Sequence, residues 1–105
     1  MQVIDREQIE QAKREELRWL ILQTLYMAQE IGASEIIVKN AVEAVILDVT
    51  TLDVRRAFDY LSERKLISMI RKEGPVWSAK INRYGIDVVE YTLPCEPGIK
   101  RPERW

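Results

Sequence analysis

Residues Thr50–Ile81 read TTLDVRRAFDYLSERKLISMIRKEGPVWSAKI, and this stretch predicts a capped amphipathic helix, a strand, a tight turn and a second strand. Thr50 followed by Asp53 is an N-cap with an acid at the third helical position, beside the unpaired amides of a helix start. Val54, Ala57, Phe58 and Leu61 then fall at i, i+3, i+4 and i+7, the spacing of one buried stripe. The opposite face carries Leu52, Arg55, Arg56, Asp59 and Glu63. Arg64 and Lys65 suit the helix C-terminus. Beyond them, LISMIRK and VWSAKI are runs of strand formers around Glu73, Gly74 and Pro75, so a hairpin is expected. Alternation turns Trp77, Ala79 and Ile81 inward and leaves Val76, Ser78 and Lys80 outside with Arg71 and Lys72.

Upstream, residues 5–31 contain no Gly or Pro and are rich in Glu, Gln, Leu, Ala and Arg, which predicts a long helix ended by Gly32. Leu17, Leu20, Ile21, Thr24, Leu25 and Ala28 form its core stripe. Trp19, Leu22, Tyr26 and Met27 lie off that stripe and need a second cover. The expectation is a homodimer through these four residues, the alternative being the chain's own ends. The polar first dozen residues are expected to fray or to form a separate turn. Ser34 caps a second predicted helix, EIIVKNAVEAVIL, over 35–47. There Glu35, Lys39 and Glu43 recur on one side, and Ile37, Val38, Ala41, Val42, Ala44 and Val45 cover the other. A connection of about three residues then leads into the helix of the opening stretch, as in a helix-turn-helix.

Downstream, Asn82 caps a short helix, RYGIDVVEY, that presents Ile86 and Val89 to the core, with Gly85 permitting a close backbone approach. From Thr92 the chain changes to TLPCEPGIKRPERW, with three prolines and little periodicity, so an extended segment is expected. Leu93, Ile99 and Trp105 are spaced along it as anchors. They suit a strap over this chain or a protein partner, and a disordered tail is the other reading.

At 105 residues and 47% hydrophobic content the chain suits one domain with a modest core. The net charge of -1 argues against a bulk polycation, but it is unevenly spread. Residues 1–54 hold 5 Lys/Arg and 10 Asp/Glu, whereas 55–105 hold 11 and 7, so the basic half contains the helix and hairpin. No apolar run approaches the roughly 18 residues of a membrane span, and the N-terminus lacks a signal-peptide pattern, so a soluble cytoplasmic protein is expected. A single cysteine, Cys95, and no histidine exclude internal disulfides, Cys/His zinc sites and His-based catalysis. The four glycines are scattered and no nucleophile has a base, so neither an enzyme nor a cofactor is expected.

Over residues 15–91 the order helix, helix, helix, strand, wing, strand, short helix resembles the winged helix-turn-helix superfamily. That is an α+β class, mostly helical with a two-stranded hairpin wing. RRAFDYLSERKLI, AKINRYGIDVVE and CEPGIKRP are similar to the small winged-helix proteins of Mu-like phages and prophages, loosely grouped with ArsR-type regulators. The domain is expected over 1–91, with an N-terminal helical extension, and the tail over 92–105. Without a cysteine pair or histidine, no metal or effector site is carried over from that group.

The resemblance implies a phage or prophage transcriptional regulator that binds double-stranded DNA through the helix beginning at Thr51. Arg55 and Arg56 would enter the major groove, and Arg71, Lys72 and Lys80 in the hairpin would contact phosphates. A dimer would set two such helices about 34 Å apart, matching half-sites one helical turn apart. Asp59 and Glu63 share the outward face, however, and a salt-bridged surface accounts for Arg56 equally well. The alternative is a non-catalytic winged-helix interaction module, a phage-related adaptor or structural protein that does not bind DNA.

Overall fold

Asp5 begins the first helix with a complete capping box: its carboxylate accepts the Gln8 amide at 2.9 Å, and the Gln8 side chain accepts the Asp5 amide at 3.0 Å. This reciprocal closure replaces the fraying expected of the polar N-terminal residues. The helix α1 (Arg6–Ala28) is continuous from its first turn. The structure is a computed structural model describing residues 3–104.

A single 3-10 turn, Gln29–Ile31, leads to Gly32 at φ 74°, where an added Cβ would collide with the Ala79 carbonyl. Glycine is required there by both the dihedral and the approach. The approach forms a short strand the sequence does not announce, β1 (Ala33–Ser34), which pairs antiparallel with β3 (Ser78–Ile81). β2 (Ile67–Arg71) flanks β3 on the other side, giving the order β1-β3-β2. The expected two-stranded hairpin is thus part of a three-stranded antiparallel sheet. Ile67 faces Ile81 and Ser68 faces Lys80, and the ladder becomes irregular between Met69 and Arg71, where the edge strand bends.

Ser34 caps α2 (Glu35–Val42), its hydroxyl accepting the Ile37 amide at 3.3 Å. The helix stops five residues earlier than its composition suggests. Asp48 takes a left-handed φ of 66°, and the chain turns so that Ile46 and Val49 meet the core. The link to α3 (Thr51–Glu63) is therefore eight residues, 43–50, rather than about three. α4 (Arg83–Val89) follows Asn82, whose side chain accepts the Gly85 amide. Gly85 lies against the Leu66 carbonyl so closely that no Cβ fits. Val88 is buried, with Ile86 and Val89 at the margin of the core.

Among the described residues this is an α+β fold of four α-helices and a three-stranded antiparallel sheet. α1 crosses its centre, packed on α2, α3, β3 and α4. That enclosure overturns half of the expected dimer surface: Trp19 is 6% exposed and Leu22 0%. Both faces of the helix meet this chain's own elements, and burying such side chains stabilises the monomer by about 1.5–3 kcal/mol each. Tyr26 is half-buried and donates its hydroxyl to Glu90 Oε2 at 2.7 Å, while Met27 remains 78% exposed. Among the described residues no helix is long and apolar enough to cross a membrane.

The C-terminal segment lies on this chain. Ile99 is buried, the Lys100 amide donates to the Glu15 carbonyl, and Arg101 Nη1 donates to the Val88 and Leu93 carbonyls at 2.9 and 2.8 Å. Arg18 donates to the Gly98 carbonyl at 2.8 Å, and its guanidinium and that of Arg64 each lie 3.5 Å from the centre of the Tyr60 ring. Burial lowers the Arg18 pKa, helped by nearby Arg14 and Arg64. Of the three anchors, Ile99 and Leu93 pack on the core, and Trp105 lies outside the described residues.

Candidate nucleic-acid interface

Thr50 and Asp53 close a capping box on α3, with the Asp53 amide donating to Thr50 Oγ1 and the Thr50 amide to Asp53 Oδ2, both at 3.0 Å. Val54, Ala57, Phe58 and Leu61 are buried beneath the helix, so its rotation is set by packing. Thr51 is exposed at its first turn. The two arginines that follow diverge.

Arg55 leans toward α2 and the hairpin. Its Nε donates to both carboxylate oxygens of Glu35, at 3.0 and 2.9 Å, and its Nη2 stands 2.9 Å from Glu35 Oε1 and donates to the Pro75 carbonyl at 3.0 Å. The guanidinium also lies 4.8 Å from the centre of the Trp77 ring. Glu35, only 3% exposed, accepts the Trp77 amide at 2.7 Å as well, and its own amide donates to the Trp77 carbonyl at 2.8 Å. One buried carboxylate therefore ties α2, α3 and the hairpin together. A carboxylate out of water is tolerated because the Arg55 guanidinium and the Trp77 amide donate to it.

Lys72 is engaged too, with its Nζ 2.7 Å from Asp59 Oδ1 and 5.3 Å from the centre of the Trp77 ring. Arg55 and Lys72, both expected to meet DNA, are engaged within the chain, and each links the hairpin to α3. The reason is reach. Arg55 extends from the edge of α3 to Glu35 and the Pro75 carbonyl, where a fork-shaped guanidinium matches a carboxylate, and Lys72 extends from the hairpin to Asp59 on α3.

Arg56 is exposed and lines a cleft of about 170 Å³ between α1 and α3, with Lys13 and Arg14 on one wall and Asp48 and Asp53 near it. Arg71 is exposed where the hairpin leaves the sheet, and Lys80 is half-buried opposite Ser68. Among the described residues, Arg56, Arg71 and Lys80 enter no ion pair. Of the six residues expected to meet DNA, Arg55 and Lys72 have ion-pair partners within the chain, while Thr51, Arg56 and Arg71 are exposed and Lys80 is half-buried.

Glu35 is the functional residue that pattern reading misses. It shares a four-residue recurrence with Lys39 and Glu43, which form an exposed pair at 2.7 Å, and nothing in the sequence separates the buried member from the solvated two. Burial raises the Cys95 pKa. Among the described residues no cluster of three or more Cys, Asp or Glu side chains could hold a metal ion. Protein-family models, curated proteins and solved structures were compared with the chain, and none matches it.

Proposed function

We propose that the chain is a winged helix-turn-helix that binds double-stranded DNA, with α3 as the recognition helix and the β2–β3 turn as the wing. The carrying observation is the corner built on Glu35. It holds a hairpin bearing Arg71 rigidly beside α3, while Arg56 remains free on the helix and Lys80 on the sheet. Preorganised cations cost less ordering on binding than mobile ones. In this reading Arg56 reads a base edge or grips a phosphate from the first two turns of α3, and Arg71 and Lys80 take phosphates. Thr51 lies near enough to the helix start to offer its hydroxyl to the backbone of the nucleic acid. A phage-type transcriptional regulator is the role the resemblance implies.

A mobility-shift series over salt on genomic fragments tests it. The three cations of the proposed surface predict a log–log salt slope of about -3 per protomer. No shift on any fragment at low ionic strength would falsify the proposal. A second reading, a protein-interaction module, is favoured by one observation: two of the expected DNA contacts are spent internally, while Leu52, Ile36 and Ile37 stand exposed near the helix starts.

A further inference from the structure

The cleft between α1 and α3 gathers more charge than DNA binding uses. Its floor is apolar, with Leu17, Val49 and Ala57 buried and Ile46 half-buried beside them. Around the floor stand two exposed acids, Glu10 and Asp48, and three exposed cations, Lys13, Arg14 and Arg56. Glu10 precedes Lys13 and Arg14 at the spacing where helix side chains pair, yet among the described residues none of these five enters an ion pair. The remaining charged residues that line the cleft are spent elsewhere: Asp53 caps α3, and Arg18 donates to the Gly98 carbonyl. Burial lowers the Arg18 pKa and the neighbouring Arg14 lowers it further, which marks the positive charge gathered on the α1 wall. Across from it, Asp48 is fixed by its left-handed turn in the link between α2 and α3.

We propose that this cleft binds a free α-amino acid with an apolar side chain. The side chain lies on the floor, the carboxylate meets the guanidinium forks of Arg14 and Arg56, and the ammonium meets Asp48 and Glu10. An apolar surface with a few charged groups that orient the ligand is the usual build of a small-molecule site. Both signs are needed. A simple carboxylate would leave the two acids opposed to an anion, and a simple amine would leave the arginines opposed to a cation. Size sets the rest: a cavity of roughly 150 Å³ takes one benzene ring, so a cleft of about 170 Å³ admits a side chain no larger than a phenyl group. Opposite charges wanted within so small a volume place the ammonium and the carboxylate on one carbon, which selects a free amino acid over either terminus of a peptide. This site goes beyond DNA binding and does not rest on it. The two meet at Arg56, which an occupied cleft engages and thereby withdraws from a groove.

Amide NMR spectra of the full chain, titrated with L-leucine and with L-phenylalanine, test it. At least one of the two is expected to shift the amides of residues 10–18 and 46–49 saturably, with a Kd of about 1 mM or tighter, as suits a ligand of so few atoms. Isocaproate, which is leucine without its ammonium, and isopentylamine, which is leucine without its carboxylate, are each expected to bind about tenfold more weakly than leucine. Arg14→Gln and Asp48→Asn should each weaken the amino acid by about tenfold as well, and asparagine keeps the turn because it accepts a left-handed φ. Circular dichroism confirms the fold of each variant, and the analogue series needs no variant at all. No saturable shift up to about 10 mM of either amino acid, ten times the expected constant, overturns the proposal. So does an analogue that binds as tightly as leucine, a saturable shift confined to amides away from the cleft, or unchanged affinity in either folded variant. No nucleic acid enters the assay, so a negative result removes this site and leaves the DNA reading standing.

Discussion

Arg55 and Arg56 are joined by one peptide bond and belong to two different regions of the molecule. Arg55 sits in a corner where α2, α3 and the hairpin meet, 29% exposed and bonded to a buried carboxylate. Arg56 stands on the open side of α3, over the cleft toward α1, with no ion pair among the described residues. About 100° of helix rotation separates a side chain that builds the fold from one left free to use it. Charge on a helix therefore says little about ligand until the reach of each side chain is known. A guanidinium that finds a carboxylate and a carbonyl within the chain is already coordinated, and a partner would have to outcompete them.

The largest expected effect breaks the corner itself. Glu35→Ala leaves Arg55 half-buried without its counter-charge and the Trp77 amide without its acceptor. Removing one member of a buried pair costs about 3–5 kcal/mol, more than the pair contributes over an apolar replacement, because the orphaned charge stays behind. Urea denaturation should show a midpoint lowered accordingly with an unchanged slope. A loss within 0.5 kcal/mol would mean that water serves Arg55 as well as Glu35 does, and the distinction between the two arginines would collapse.

Much of the frame is legible in the sequence because it rests on repeating local signals. Thr50 with Asp53 marks the start of α3, Val54 to Leu61 marks its buried stripe, and Glu73-Gly74-Pro75 marks the turn. What is not legible depends on long-range approach. β1 exists because Gly32 brings two residues against Ala79, and a two-residue strand has no period to read. α2 ends at Val42 because Ile46 and Val49 are drawn to the core, which periodicity alone cannot foresee. Trp19 and Leu22 look surplus on a wheel, yet both are buried, because α1 packs on α2, α3, β3 and α4, elements that periodicity does not place around it. At the candidate site the residue types are legible and the pairings are not. Arg55 meets Glu35 across 20 positions, and Trp77 meets it across 42.

Substituting the two arginines in parallel sharpens the comparison. Arg55→Ala should lower stability by about 2–4 kcal/mol, since it strands Glu35 nearly out of water. Arg56→Ala should leave stability within about 0.5 kcal/mol, as exposed positions free of such contacts do. If α3 enters a groove, the same Arg56 variant should weaken DNA binding by about 1–3 kcal/mol and reduce the salt slope if the contact is to phosphate. The pair of measurements discriminates because the effects are crossed: one residue moves the melting curve and the other moves the binding curve. Equal loss of stability from both would place Arg56 in the scaffold as well.

The smallest effect belongs to Lys72, whose partner Asp59 is 40% exposed at the side chain and whose own side chain is 53% exposed. Water and salt screen such a pair, so Lys72→Ala should cost no more than about 0.5 kcal/mol, fading as ionic strength rises. Yet the pair sits where the hairpin meets α3, so a small equilibrium cost can accompany a larger change in hairpin motion. Hydrogen exchange of the amides from 70 to 77 reads that directly, because local opening reports the hairpin rather than the whole fold. Faster exchange there, with the α3 amides unchanged, would show that Lys72 fastens the tip while Glu35 and Arg55 hold the base. Unchanged exchange would assign the entire attachment to the buried carboxylate and leave Lys72 free, like Arg56, for a ligand.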